Sequence, residues 1–218
     1  MPRRTLIEHR PFLLGAIVLA LAWYLLRDSE LGGIWLMLLK GGSVAALACY
    51  AFVRHSGIDA RWLAIGLVVF AMSTMAAGFW PYPALLLGFF GALIYLSLFL
   101  RNPRIRPSGS QKGAGVALLA ITPLLFWMVA GGTLQAAIYG LTVGAMAAAG
   151  WMSRFPRYRV GSGAVLLALS NLLTMAVGGG FAMAPDAMIN MLSWPLFFIG
   201  QFLICTGVIQ LLKREHRA

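Results

Sequence analysis

The chain has 218 residues, of which 61% are hydrophobic and 11% charged, with a mean hydropathy of +0.84. An ordinary soluble domain carries about 25% charged residues, so the apolar excess is expected to face lipid. Seventeen Lys and Arg against six Asp and Glu give a net charge of +11. The cations fall between long apolar runs, where they read as topology signals and not as a nucleic-acid surface.

Crossing about 30 Å of hydrocarbon at 1.5 Å per residue needs roughly 20 apolar residues. Eight stretches approach this length: 12–26, 31–52, 62–79, 83–100, 115–130, 134–152, 162–178 and 190–212. They leave only short connections, so the sequence predicts one integral membrane domain over 1–218. Arg3, Arg4 and Arg10 precede the first stretch, and Arg54 and Arg61 lie in the second connection. Arg101, Arg104, Arg106 and Lys112 lie in the fourth connection, Arg154, Arg157 and Arg159 in the sixth, and Lys213, Arg214 and Arg217 in the tail. That places 15 of the 17 cations on one side. The opposite connections hold Arg27, Asp28, Glu30 and Asp186. Cations near span ends are retained in the cytoplasm, so the expectation is an all-α bundle of eight transmembrane helices with both termini inside. In a bacterium it would lie in the cytoplasmic membrane.

The first stretch follows a basic segment and contains Ala20-Leu21-Ala22, the pattern of a cleavable signal. Cleavage would leave seven spans. Trp23 and Tyr24 after that site read instead as an interfacial aromatic belt, and the span is taken as retained. Gly178–Gly180, before Asp186, mark a hinge or helix end.

Displacing the chain by 97 residues places GLVVFAMST (66–74) over GAVLLALSN (163–171), with Gly, Val, Ala and Ser identical. Tyr82-Pro83 and Gly88 match Trp194-Pro195 and Gly200 at a slightly larger offset. Four spans separate the copies, so they would run in the same direction and imply two pseudo-repeated halves about an axis along the membrane normal. Chance self-similarity of apolar sequence is the alternative. On the repeat, Ser73-Thr74 and Ser170-Asn171 would face each other and give a central cavity its polar lining.

Lys40 is the only formally charged side chain well inside a span, where an ammonium costs about 2.5 kcal/mol or more on insertion scales. It either snorkels or binds an anionic group such as a phosphate head, and Gly41-Gly42-Ser43 after it permit close backbone approach. Asn171 and Gln201 carry donors and acceptors that must find partners in lipid, either on another helix or on a ligand. Ser43, Ser73, Thr74, Ser170 and Tyr95 are the nearest hydroxyls. For the Ser and Thr hydroxyls the alternative is a bond back to their own helix.

His9, His55 and His216 lack partners at metal-ligand spacing, and Cys49 and Cys205 form no disulfide framework. No phosphate loop, dinucleotide fingerprint or nucleophile elbow occurs, so neither metal nor cofactor is expected. Gly140 and Gly144 form a GxxxG that reads as a packing seam inside the bundle.

Lys40, GAVLLALSN (163–171), FFIGQFLI (197–204) and the longer WPLFFIGQFLI around it resemble the YhhN-like lysoplasmalogenase family, from about Leu38 to Val208. The resemblance implies an eight-span enzyme that hydrolyses the vinyl-ether bond of lysoplasmalogens to a fatty aldehyde and a glycerophospho-head group. It implies a lysophospholipid or other amphiphile as ligand. By position it makes Thr74 and Asn171 the catalytic pair; Lys40, Ser73, Ser170, Gln201 and Tyr95, the polar residues read within the spans, are the expected substrate-binding set. The chain departs from the pattern at four points. Active relatives look like Gly-Asp where this chain has Ser73-Thr74, and like Ser-Asp where it has Ser170-Asn171. The fourth span has no His, and the Lys-Pro of the second span is Lys40-Gly41.

Vinyl-ether hydrolysis requires a proton delivered to carbon, and a buried carboxylic acid is the natural donor. Neither Thr nor Asn supplies it. Two functions stand side by side: hydrolysis by resemblance, or a member that has lost the chemistry and binds or moves an amphiphile in the same cavity. A transporter is a third, weaker alternative.

Overall fold

The computed structural model describes residues 10–30, 32–178 and 186–216. Eight α-helices occupy them: α1 (Arg10–Leu26), α2 (Gly33–Arg54), α3 (Ile58–Ala76), α4 (Pro81–Leu100), α5 (Gly109–Val129), α6 (Leu134–Met152), α7 (Ser162–Gly178) and α8 (Asp186–Glu215). A π turn, Arg157–Gly161, leads directly into α7. Among the described residues the only extended pairing is an isolated antiparallel bridge between Pro103 and Ser153. Of the glycines read as a hinge, Gly178 closes α7, while 179 and 180 lie outside the described residues.

Among the described residues six segments are long and apolar enough to cross a membrane: Gly33–Arg54, Ile58–Ala76, Pro81–Leu100, Gly109–Val129, Arg157–Val177 and Met191–Glu215. The helix at the N-terminal end, Pro11–Leu26, is apolar but shorter. Helix α6 is not among the six because Ala and Gly replace the larger aliphatics, and its small residues, Ala147 and Gly150 among them, are buried. Large apolar side chains such as Leu25, Trp35, Leu86 and Val116 stay exposed. Several helices of spanning length with large apolar side chains turned outward mark an integral membrane protein.

The local sequence explains several boundaries. Helix α5 begins at Gly109, earlier than the apolar run, because Ser108 forms a capping box: its hydroxyl accepts from Gln111 N and its own N–H donates to Gln111 Oε1. At the other end, Gly131 (φ 67°) and Gly132 (φ 81°) adopt left-handed conformations open to glycine at little cost. Gly132 N donates to Trp127 O at 2.8 Å, turning the chain into α6.

The helices fall into two compact units, one of residues 1–94 and 212–218 and the other of residues 95–211. In the first, α2 packs on α1 and α3. A Cβ on Gly41 would lie 2.2 Å from Met75 Cγ, and one on Gly78, just past α3, would lie 1.9 Å from Met37 Cε, so the first half of α2 and the C-terminal end of α3 close on glycine at two points. In the second, α5 packs on α6 along the predicted GxxxG. A Cβ on Gly140 would meet Phe126 Cβ at 2.6 Å, and one on Gly144 would meet Leu118 O at 2.9 Å. Helices α7 and α8 touch backbone to backbone, with Gly163 and Gly200 each presenting its carbonyl 2.8 Å from a Cβ placed on the other.

The basic connections of the second unit meet at one end. Arg104 N donates to Met152 O and Arg154 N to Asn102 O, at 3.2 and 2.9 Å. The Arg104 guanidinium donates to Ser153 O and Phe155 O, and Arg159 donates to Gln210 Oε1 of α8. The α4–α5 connection, the α6–α7 connection and the late part of α8 therefore share one end of this unit.

Candidate functional site

The predicted site residues divide between the units: Lys40, Ser73 and Thr74 lie in the first, and Tyr95, Ser170, Asn171 and Gln201 in the second. Each set is described within its own unit.

In the first unit, Lys40 is half-buried on α2. Its Nζ sits 4.7 Å from the centroid of the Trp23 ring of α1, a cation–π contact. Because α2 begins at Gly33, the ammonium side chain starts about 10 Å from that helix end. Ser43 is fully buried and donates to Lys40 O at 2.7 Å, so the turn after Lys40 is internally satisfied. On α3, Thr74 donates to Ala71 O at 2.8 Å, a bond within its own helix. Ser73 instead donates across to Ala84 O of α4 at 2.7 Å.

In the second unit the polar groups form two tyrosine–amide pairs. Tyr95 of α4 and Gln201 of α8 are both fully buried, and the phenol donates to Gln201 Oε1 at 2.7 Å. Gln201 Nε2 is buried with no hydrogen-bond partner, leaving a donor available. Tyr139 of α6 donates to Asn171 Oδ1 of α7 at 2.7 Å, and Asn171 Nδ2 donates to Leu167 O at 2.8 Å. Ser170 donates across to Ser193 O of α8 at 2.7 Å. Ser73 and Ser170, which a displacement of 97 residues aligns, thus make the same kind of bond, each to a carbonyl of the following helix.

Sequence reasoning missed Tyr139. It is a tyrosine in a span of Ala and Gly, and that composition was its only signal. It missed Trp23 as the partner of Lys40 as well, reading it solely as an interfacial anchor.

These side chains can hold helices together, and in the first unit the Lys40 ammonium can meet an anionic or hydroxylated ligand. No carboxylate stands among them. By class the described residues form a helical integral membrane protein, and the groups at its predicted site are amides, hydroxyls and one amine. Residues 35–208 match the model of the YhhN family, and the chain belongs to that family. No curated protein and no solved structure matches it.

Proposed function

We propose that the chain is an amphiphile-binding member of the YhhN family that keeps the lysoplasmalogenase architecture without the acid needed to cleave a vinyl ether. One observation carries this. The two positions where the resemblance puts carboxylates hold Thr74, bonded to Ala71 O, and Asn171, bonded to Tyr139 and to Leu167 O. Neither group protonates carbon near neutral pH. In the proposal Lys40 of the first unit meets the phosphate head, and the ligand is a lysophospholipid or a similar amphiphile.

The proposal includes eight spans with both termini in the cytoplasm, α1 and α6 completing the set. The meeting of the basic connections at one end of the second unit supports that parity. The matched Ser73 and Ser170 bonds support a duplicated origin for α3–α4 and α7–α8. Family membership itself favours a second reading, retained hydrolysis of lysoplasmalogen to fatty aldehyde and glycerophospho-head group.

Aldehyde release from lysoplasmalogen by the purified protein in detergent distinguishes the two. We expect none from the wild type and some from Thr74→Asp/Asn171→Asp. Aldehyde from the wild type, lost in Asn171→Leu, would establish hydrolysis instead. Lys40→Met is expected to weaken retention of phosphate-bearing lysolipids, and unchanged retention would leave Lys40 as a snorkelling residue only.

A further inference from the structure

The second unit carries an open-sided groove of about 670 Å³ that contains none of the residues assigned above. Its walls are α5, from Ala114 to Phe126, and α7, from Ser162 to Leu172, with Trp151 and Leu203 contributing. Apart from Thr122 and Ser162 the lining is aliphatic or aromatic, with Ala114, Ala117 and Ala168 giving it depth. The Ser162 hydroxyl is already engaged, donating to Tyr158 O at 2.7 Å.

Length and charge together identify an occupant. Ten residues of α7 between Ser162 and Leu172 span about 15 Å, half of a hydrocarbon core of about 30 Å, so the groove is as long as one leaflet is deep. Trp151 and Ser162 both line it, and the segment joining them carries Arg154, Arg157 and Arg159. Arg154 and Arg159 are exposed. Arg157 lies over the ring of Tyr158, 4.5 Å from its centroid, and Tyr158 is 74% exposed. No Asp or Glu occurs between Asp59 and Asp186, so α5–α7 contribute no carboxylate beside these cations. Basic clusters beside an intramembrane crevice recruit anionic head groups.

We infer that this groove holds one acyl chain of an anionic phospholipid whose phosphate lies against the arginines between Trp151 and Ser162. The inference rests on the membrane orientation proposed above but not on the amphiphile site, and the aldehyde assay does not bear on it.

Native mass spectrometry of the full chain in detergent, titrated with dioleoyl phosphatidylglycerol and with dioleoyl phosphatidylcholine, tests it. Phosphatidylglycerol should be retained preferentially, and Arg154→Gln and Arg157→Gln should each reduce that preference about fivefold. Ala117→Phe, which fills the groove, should reduce retention of phosphatidylglycerol, whereas Ala120→Phe, equally exposed on α5 but outside the groove, should not. Equal retention of the two lipids by the wild type overturns the inference, as does equal behaviour of the two Phe variants. A dimer that Ala117→Phe dissociates without altering lipid retention would assign the groove to a second copy of the chain.

Discussion

The two tyrosine–amide pairs differ in how much depends on the phenol, and this separates their substitutions. Asn171 keeps its bond to Leu167 O when Tyr139 becomes Phe, so Tyr139→Phe should cost about 0.6 kcal/mol, typical of an interhelical hydrogen bond in a bilayer. Gln201 has no second bond to keep. Tyr95→Phe strands a fully buried amide and should cost more, about 1–3 kcal/mol. Thermal unfolding in detergent checks the order; a Tyr139→Phe loss as large as that of Tyr95→Phe would contradict it. The need for partners was legible, since Asn and Gln carry both donors and acceptors. Their partners were not, because register across helices decides that Asn171 meets Tyr139 and Gln201 meets Tyr95. Thr74 shows the reverse case: its bond to Ala71 O is local, so the sequence could anticipate it as a self-satisfied hydroxyl.

Helix contacts are set by small residues, and what lies opposite each decides its tolerance. Gly163 faces the carbonyl of Gly200 and the backbone of Ile204, neither of which can yield, so Gly163→Ala should separate α7 from α8 at about 1–3 kcal/mol. Gly41 faces only the flexible Met75 side chain, and Gly41→Ala should be milder. Comparing their melting temperatures in one detergent tests this, and equal losses would show that α2–α3 is as rigid as α7–α8. The positions of the elements were largely readable, because apolar runs separated by arginines need no tertiary information. The start of α5 was not, since the Ser108–Gln111 capping box builds its first turn from polar residues. Helix α6 shows the limit of hydropathy: its Ala and Gly serve packing against α5 and yield too little apolar character to stand with the six long spans.

At the scale of the whole chain, the charge pattern and the internal polar groups make separate claims. The proposed orientation predicts that, with Cys49 and Cys205 replaced, a cysteine at Ser108 reacts with an impermeant maleimide only from the cytoplasmic side and one at Thr133 only from the opposite side; the same side for both would break the eight-span parity. The chemical claim is that the chain binds a lysolipid and leaves it whole. Incubating the wild-type protein with lysoplasmalogen and recording its native mass spectrum over hours tests this in one measurement. We expect an adduct with the mass of the intact lipid that does not change with time. Replacement of that adduct by free protein or by the glycerophospho product, with fatty aldehyde accumulating in solution, would show that the protein is a hydrolase.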